Sequence, residues 1–311
     1  MAKTAFVFPG QGAQYVGMGK QIADTYGSAN AIFEQASAAL GFDIKKMIFE
    51  SDDETLKITE NTQPAILTVS TACMQPLLEK GIIPDAVAGL SLGEYSAHVA
   101  SGTMAFGDAV SIVRKRGKFM QEAVPLGVGT MAAILGLEDQ VVIECCKAAS
   151  EAGIVEPANF NCPGQIVIAG DVKAVERAVE LCKEKGAKRA MLLPVSAPFH
   201  CSMLKPAGEK LEQEFEKIEI SDMKTPVVAN VTAQYITDKS KIKELLIKQV
   251  SSPVLWEASV KMMIDDGFDT FIEVGPGKVL SGFIKKINKD VRVLNVEDIE
   301  SLNKTLEELG K

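Results

Sequence analysis

One five-residue stretch constrains the fold more than any other part of the chain. Residues 89–93 read Gly-Leu-Ser-Leu-Gly, after an apolar run at residues 86–90 that predicts a short buried strand. Residues 92–101 have the pattern of a helix. The G-x-S-x-G spacing at a sharp strand-to-helix turn is typical of a nucleophile exposed at a sheet end, near N–H donors for an oxyanion. Ser91 is therefore a candidate nucleophile, and the alternative is an ordinary glycine–serine turn.

A serine hydroxyl is a weak nucleophile without a neighbouring base, and the chain has two histidines, His98 and His200. His98 follows Ser91 by seven residues on the same predicted helix. At 1.5 Å per residue it lies about 10 Å along the axis, too far for a hydrogen bond. His200 follows Pro198 where a predicted inserted domain rejoins the main one, and clefts between domains commonly hold sites. His200 is the candidate base, and the alternative is a histidine of the core or surface.

Strand and helix patterns alternate along the chain and predict an α/β fold. Residues 3–8 predict the first strand, and residues 86–90 the strand before Ser91. Further strands are predicted at residues 225–229 and 270–274. Helices separate them, so we predict a helix-flanked, mostly parallel sheet.

The pattern changes at residue 127 to a compact β-α-β-β-α-β order that ends near residue 193. This is the split βαβ pattern of ferredoxin-like domains, and it is complete in itself. We therefore predict a small domain over residues 127–196, inserted into a large domain formed by residues 1–126 and 197–311.

A glycine-rich turn at residues 9–14 follows the first predicted strand. It lacks the Gly-Lys-Ser/Thr of a phosphate loop and the third glycine of a dinucleotide-binding loop. We interpret it as a loop that offers backbone N–H groups. Residues 61–80 predict a helix with Pro64 in its first turn, which places Gln63 at the N-terminal end.

A long amphipathic helix is predicted over residues 106–124. One stripe of this helix contains Ala109, Val113, Arg116, Met120 and Ala123, and another contains Ser111, Arg114, Lys118 and Gln121. Arg116 is thus the basic residue that faces the apolar side, where a guanidinium needs an anion. That anion is either an internal Asp or Glu or a substrate carboxylate.

Composition excludes several classes of protein. The formal net charge of -8 argues against a nucleic-acid binder, which normally has a basic bias. No apolar run reaches membrane-spanning length, and the N-terminus runs directly into a strand pattern, so we expect neither a membrane span nor an export signal. The six cysteines form no C-x-x-C pair and no zinc-like group with histidine, which favours reduced, mostly buried thiols in a cytoplasmic protein.

Seven short motifs occur in an order that one known family shares. They are Phe-Pro-Gly-Gln-Gly at residues 8–12, Thr-Gln-Pro-Ala at 62–65, Gly-Leu-Ser-Leu-Gly-Glu-Tyr at 89–95, Arg-Gly-Lys-Phe-Met-Gln at 116–121, Ala-Asn-Phe-Asn at 158–161, Pro-Phe-His at 198–200 and Glu-Val-Gly-Pro-Gly at 273–277. By these motifs the chain resembles, from end to end, the malonyl-CoA:acyl carrier protein transacylases of fatty-acid synthesis.

The resemblance implies an α/β-hydrolase-like large domain with a ferredoxin-like insert, and a catalytic dyad of Ser91 and His200. It implies an oxyanion hole from the backbone N–H groups of Gln11 and Leu92. It also implies that a main-chain carbonyl near Gln249 holds the histidine, in place of the acid of a triad.

For the substrate, the resemblance implies that Arg116 clamps the malonyl carboxylate with Gln63 nearby, and that Asn159 and Asn161 line the cleft. The bulky ring of Phe199 directly precedes His200. We expect that ring to crowd a branched acyl group, which favours malonyl over methylmalonyl.

One residue departs from the family pattern. Many members have Gly-His-Ser-Leu-Gly, whereas Leu90 precedes the serine here. Any role of that histidine is absent from this chain. We expect the departure to leave the Ser91 and His200 dyad intact and to affect either the polarity of the pocket or its response to pH.

The expected reaction is ping-pong transfer of malonyl from malonyl-CoA to the phosphopantetheine thiol of acyl carrier protein, without a metal or bound cofactor. The carrier is an acidic, transient partner, and we expect a monomer. An esterase or thioesterase would let water take the acyl group, but a cation such as Arg116 has little use in an apolar acyl pocket. A non-catalytic docking subunit would be expected to have lost Ser91 or His200, and both are present.

Overall fold

A computed structural model of the chain describes residues 3–195 and 197–311. The strands are β1 (Lys3–Phe8), β2 (Ala86–Gly89), β3 (Gly129–Leu135), β4 (Val155–Cys162), β5 (Gln165–Asp171), β6 (Arg189–Leu192), β7 (Val228–Ala229), β8 (Gln234–Tyr235), β9 (Phe268–Val274) and β10 (Arg292–Val296). The α-helices are α1 (Lys20–Thr25), α2 (Gly27–Leu40), α3 (Ile44–Glu50), α4 (Asp53–Lys57), α5 (Thr59–Glu79), α6 (Gly93–Ala100), α7 (Phe106–Ala123), α8 (Asp139–Ala149), α9 (Val172–Glu184), α10 (Lys205–Phe215), α11 (Ile242–Gln249), α12 (Trp256–Asp265), α13 (Val279–Ile287) and α14 (Ile299–Glu308).

The main sheet is parallel and has the strand order β10-β9-β1-β2. Strands β1, β2 and β9 are mostly buried between helices, as expected for a parallel sheet, whereas the edge strand β10 is partly exposed. Phe8 at the end of β1 pairs with Gly89 at the end of β2. The loops that follow these two strands therefore leave the sheet side by side, which brings the glycine-rich loop next to Ser91.

The predicted strand at residues 225–229 is largely wrong. Only Val228–Ala229 forms a strand, and it pairs with β8 in a two-stranded hairpin. A single parallel bridge, Val87 to Val227, joins this segment to the main sheet, next to the hydrogen bond from the Val87 amide to the Pro226 carbonyl. Proline has no N–H to donate, so a ladder does not extend through Pro226.

The second sheet is antiparallel, with the order β4-β5-β3-β6. Helices α8 and α9 pack on one face around an apolar cluster that includes three cysteines. The β-α-β-β-α-β order confirms the predicted ferredoxin-like fold of this part. The boundaries at residues 126/127 and 196/197 stay a prediction, and Ser196 lies outside the described residues.

The second sheet contacts the main body through β4. The Phe160 amide donates to the Val254 carbonyl, and the Val254 amide donates to the Ala158 carbonyl. Glu156 accepts from both the amide and the hydroxyl of Ser202 at 2.7 Å each. These contacts fix the second sheet beside the segment that contains the candidate base.

Helices α5 and α7 pack against each other beside Ser91. Helix α5 begins at Thr59, two residues before the predicted start, so Pro64 lies inside the helix rather than in its first turn. The predicted stripe of α7 is confirmed at Arg116, which is buried. None of the helices within residues 3–195 and 197–311 combines the length and apolarity that crossing a bilayer requires.

Substitution of Gly117 tests how tightly α5 and α7 pack, and substitution of Gly282 in another helix is the control. A Cβ added at Gly117 of α7 would lie 2.5 Å from the Thr59 carbonyl oxygen, whereas one at Gly282 of α13 would meet open space. We expect Gly117→Ala to destabilise the protein by about 1 to 3 kcal/mol or more, because backbone atoms must separate. Gly282→Ala should stabilise it by about 0.5 to 1 kcal/mol. Urea unfolding measures both, and equal effects of the two substitutions would contradict the close helix contact.

Candidate active site

The turn at Ser91 is tight enough to require both neighbouring glycines. Ser91 has a left-handed backbone with φ of 53°, which is uncommon for a residue with a side chain. A Cβ at Gly89 would lie 1.9 Å from the Gly93 carbonyl carbon, and one at Gly93 would lie 2.1 Å from the Phe8 carbonyl oxygen. The sequence pattern therefore forms a strained strand-to-helix turn with Ser91 at its apex.

Ser91 and His200 lie together. The Ser91 Oγ is 2.6 Å from the His200 Nε2, and the His200 Nδ1 is 2.9 Å from the Gln249 carbonyl oxygen. A carbonyl only accepts, so Nδ1 has the proton and Nε2 is left to accept from the serine hydroxyl. His98 is buried in α6 with its Nδ1 2.9 Å from the Thr103 Oγ1, away from Ser91.

Burial and charge both favour neutral imidazole at His200. Loss of hydration on burial, followed by the positive charge of Arg116, lowers the pKa of His200 to about 4. The hydrogen bond to the Gln249 carbonyl opposes this shift. His200 is therefore a free base at neutral pH, able to take a proton from Ser91.

Arg116 is 1% exposed, and its guanidinium extends to the Ser91 hydroxyl. One terminal nitrogen, Nη1, donates to the Gln63 Oε1 at 2.8 Å, and Nη2 donates to the Ser91 Oγ and the Gln249 Oε1 at 3.0 Å each. The guanidinium carbon lies 5.5 Å from the Tyr95 ring centroid. In the part of the chain that the structure describes, no carboxylate forms a salt bridge with Arg116, and its Nε has no partner. The predicted alternative of a direct internal Asp or Glu partner is therefore wrong.

The carboxylate of Glu94 is linked to Arg116 indirectly, through the side-chain amide of Gln249. The Gln249 Nε2 donates to the Glu94 Oε2 at 2.6 Å, while its Oε1 accepts from Arg116. Glu94 is fully buried, and its Oε1 has no partner among the described residues. Burial raises the pKa of Glu94 to about 7, although hydrogen bonds from Asn230 and Gln249 oppose the shift.

The two implied oxyanion donors occupy the loops that leave β1 and β2. Leu92 directly precedes α6, and Gln11 lies three residues beyond the end of β1. Their backbone N–H groups donate to no protein atom within residues 3–195 and 197–311. The Ser91 N–H is different, because it donates to the Asn230 Oδ1 at 2.7 Å. The N–H groups of Gln11 and Leu92 are thus free to donate to an incoming oxygen, and their role as an oxyanion hole stays a prediction.

The remaining predicted residues are buried around the cleft. Asn159 and Asn161 lie on β4, where the second sheet contacts the main body, and Phe199 directly precedes His200. Neither asparagine side chain bonds to another described residue, so both amides are available to a ligand. Their contact with substrate stays a prediction.

Two residues of this cluster were missed from the sequence, Glu94 and Asn230. Glu94 stands in the first turn of α6, where an acidic residue is ordinary on the surface, and nothing in the pattern indicates its burial. Asn230 interrupts the apolar residues 227–231. A polar residue inside such a run is a signal of a buried hydrogen-bonding role.

Nuclear magnetic resonance of the two imidazoles tests the electrostatics of the site. We expect neither His200 nor His98 to titrate between pH 8 and pH 5, because burial lowers the pKa of His200 to about 4 and of His98 to about 3. Arg116→Met should raise the pKa of His200 by removing the nearby charge, while His98, which is shifted by burial alone, stays unchanged. A His200 signal that titrates near its ordinary value of about 6.5 would contradict the buried dyad.

Comparison with known proteins gives the family. Residues 5–306 match the acyl transferase domain family. The malonyl CoA-acyl carrier protein transacylase of Bacillus subtilis is 49% identical over 310 residues, which cover 99% of this chain and 98% of that protein. The crystal structure of malonyl CoA-acyl carrier protein transacylase from Clostridium perfringens has a TM-score of 0.97 at 51% identity, covering 99% of this chain and 98% of that one. A malonyl-transacylase in complex with a type II PKS acyl-carrier protein has a TM-score of 0.96 at 42% identity, covering 99% and 100%. The chain belongs to the acyl transferase family and, within it, to the malonyl CoA-acyl carrier protein transacylases.

Proposed function

We propose that this protein transfers the malonyl group from malonyl-CoA to the phosphopantetheine thiol of acyl carrier protein, and so supplies fatty-acid chain elongation. The observation that supports this most directly is the guanidinium of Arg116, which is buried, forms no salt bridge with another described residue and lies 3.0 Å from the Ser91 Oγ. A malonyl thioester attacked by Ser91 places its carboxylate a few bonds away. That carboxylate is the anion that Arg116 lacks.

In the first half-reaction, the Ser91 Oγ attacks the thioester carbonyl while the His200 Nε2 takes the hydroxyl proton. The Gln11 and Leu92 N–H groups stabilise the oxyanion. The C–S bond then breaks, His200 returns its proton to the CoA sulfur, and malonyl remains on Ser91 as an ester. In the second half-reaction, the carrier thiol gives its proton to His200 and its sulfur attacks the ester carbonyl. The C–O bond to Ser91 then breaks, His200 returns the proton to the Ser91 oxygen, and malonyl-carrier leaves.

Arg116 has two roles in this scheme. It holds the malonyl carboxylate in a planar, bidentate pair, which fixes the thioester beside the nucleophile. Without substrate, its Nη2 donates to the Ser91 Oγ and makes that oxygen less nucleophilic. Binding of malonate draws the guanidinium toward the carboxylate and releases Ser91 when substrate is present. Gln63 keeps its acceptor on Nη1 and limits how the guanidinium turns.

Transfer to a carrier, rather than to water, agrees with the related malonyl-transacylase in complex with an acyl-carrier protein. We propose that basic residues contact the acidic carrier, namely Lys183, Lys185, Lys188 and Arg189 in the second sheet region and Lys285, Lys286 and Lys289 near α13. Lys285 also forms a hydrogen bond within the protein, because its Nζ donates to the Val291 carbonyl at 2.7 Å. The Lys286 Nζ donates to Gln165 of β5, so this side chain spans the two sheet regions.

The other assignments are also proposals. The steps above need no metal or bound cofactor, because serine, histidine and backbone N–H groups supply the chemistry. We propose that Asn159 and Asn161 bind the substrate and that Phe199 limits branched acyl groups. We further propose a monomer that acts in the cytoplasm, without nucleic acid or membrane.

Intact mass spectrometry tests the nucleophile. We expect malonyl-CoA to add one malonyl group to the wild-type protein and none to Ser91→Ala, because the turn presents only that hydroxyl to the cleft. Adding the carrier should remove the group to the carrier thiol faster than water hydrolyses it. A label that survives Ser91→Ala would exclude this nucleophile, and loss of the label only to water would support a thioesterase.

The acyl group is tested by Arg116→Ala, with Arg114→Ala as a matched control on the same helix. Truncating a partner of a desolvated charge pair costs about 2 to 5 kcal/mol, which corresponds to about 30-fold or more. We expect Arg116→Ala to lose malonyl transfer by that factor more than acetyl transfer, and Arg116→Lys to rescue it poorly because an ammonium lacks the planar fork. Arg114 is part-exposed and pairs with Glu60, so its truncation should leave malonyl transfer near wild type. Equal losses of malonyl and acetyl transfer in Arg116→Ala would indicate a purely structural role.

A further inference from the structure

Asn230 joins the backbone on both sides of the nucleophile. Its side-chain Oδ1 accepts from the Ser91 N–H at 2.7 Å, and its Nδ2 donates to the Gly89 carbonyl at 2.6 Å. Its own backbone is fixed as well, because its N–H donates to the Glu94 Oε2 at 3.1 Å and its carbonyl accepts from the Leu255 N–H at 3.0 Å. Asn230 is 1% exposed, so all four contacts lie away from solvent.

The reason for this arrangement lies in the edge of the main sheet. Strand β2 is an edge strand, and the Leu90 N–H points inward to the Phe8 carbonyl. Because backbone groups alternate along a strand, the Gly89 carbonyl and the Ser91 N–H point outward, where a further strand would pair with them. In the part of the chain that the structure describes, no strand pairs there, since the neighbouring segment forms a single bridge to β2, at Val87. The side-chain amide of Asn230 donates one hydrogen bond and accepts another, as a peptide group would, and so replaces the missing strand partner.

These two bonds act on a strained point of the backbone. Ser91 has φ of 53°, a conformation that a residue with a Cβ adopts only when its surroundings hold it. The Ser91 carbonyl is held separately, by the Gln249 Nε2 at 2.9 Å. Asn230 also contacts that same Gln249 Nε2 through its Oδ1, at 3.3 Å. The donor and acceptor of Asn230 thus fix the direction of the Ser91 Cα–Cβ bond, while the shorter bonds to the Ser91 carbonyl and to Glu94 hold Gln249.

We propose that Asn230 is a positioning residue for acyl transfer, which holds the Ser91 hydroxyl on the line between the His200 imidazole and the acyl carbonyl by serving as a surrogate peptide group at the edge of β2. This inference rests on the proposed function and deepens it. Asn230 contacts neither the acyl group nor the histidine, so it acts through the backbone of Ser91.

The effect on turnover follows from this indirect role. A displacement of about 1 Å at a reacting group costs about 10²-fold in rate. We expect Asn230→Ala to lower kcat of malonyl transfer by about that factor, because two buried backbone groups lose their partners. The KM for malonyl-CoA and the ratio of malonyl to acetyl transfer should stay within about twofold of wild type, because Arg116 still binds the carboxylate.

The sharper test is Asn230→Asp, which keeps the shape of the side chain and replaces the Nδ2 donor to the Gly89 carbonyl by an oxygen. An ionised carboxylate accepts from the Ser91 N–H but has no hydrogen for the Gly89 carbonyl, whereas a protonated carboxyl has both. The ionisable groups joined to this network are Glu94, Arg116, Tyr95 and His200. Burial beside Glu94 should keep the new carboxyl protonated well above its ordinary range. We therefore expect the kcat of Asn230→Asp, relative to wild type at each pH, to rise about tenfold or more between pH 8 and pH 6.

A matched control is Asn295→Asp, which makes the same change on β10 at the opposite edge of the main sheet. It should follow the wild-type pH profile. Wild type, Asn230→Asp and Asn295→Asp are assayed in one series, with thermal unfolding at each pH to show that the samples are folded during the assay. The Asn230→Asp arm decides the question even where Asn230→Ala fails to fold.

The outcomes separate the two proposals. A wild-type protein that forms no malonyl-serine would overturn the proposed function. A wild type that transfers malonyl, together with an Asn230→Asp variant whose kcat follows the wild-type pH profile, would overturn the role of Asn230 and leave the function intact. The role of Asn230 is supported if the kcat of Asn230→Asp is below that of wild type at pH 8 and recovers at pH 6. Its KM should stay unchanged, and Asn295→Asp should follow the wild-type pH profile.

Discussion

The site depends on a buried cation that is solvated by neutral groups. Removing a guanidinium from water costs several kcal/mol unless acceptors replace the lost hydration. Around Arg116 those acceptors are the amide oxygens of Gln63 and Gln249 and the hydroxyl of Ser91, and the Tyr95 ring covers one side. Neutral acceptors bind the two terminal nitrogens of the guanidinium and leave its charge without a salt bridge among the described residues. A full salt bridge would have satisfied the charge too, and would have left no attraction for a substrate carboxylate.

This constraint explains several features of the fold around the site. Gln63 reaches Arg116 only because α5 and α7 lie close together, and Gly117, the next residue along α7, permits that approach. The orientation of the Gln249 amide follows from its neighbours, since Arg116 only donates and Glu94 accepts. One glutamine thus separates the positive and negative groups by the length of an amide. Burial, reinforced by the positive charge of Arg116, lowers the pKa of His200 and keeps its imidazole neutral and able to act as a base.

Much of this site could be predicted from the sequence because its main parts are local. The glycine spacing predicts the turn at Ser91, and helical counting places Arg116 on the buried face of α7 with Arg114 outside. The ferredoxin-like order of the second sheet is readable because each strand and helix has its own hydrophobic period. Distance arithmetic along one helix removes His98 from consideration as the base.

The features that were predicted wrongly or missed depend on contacts between residues far apart in the sequence. Whether residues 225–229 join the main sheet depends on which N–H groups face the edge of β2, and a single proline changes the result. The burial of Glu94 and the role of Asn230 arise because α6, α11 and the segment after β7 converge on Ser91. Such convergence is a property of the three-dimensional fold and has no period along the chain.

The partner of the His200 Nδ1 is a main-chain carbonyl, that of Gln249 at the end of α11. Every amino acid has that carbonyl, so no single substitution at position 249 deletes the acceptor, although it can remove the side chain that contacts Arg116. The orientation of the imidazole is therefore encoded in the path of the backbone. This orientation should survive a substitution of one amino acid by another at position 249. Insertions or deletions that shift the register of α11 should disturb it. Genetic variation in this short helix should accordingly tolerate changes of residue type far better than changes of length.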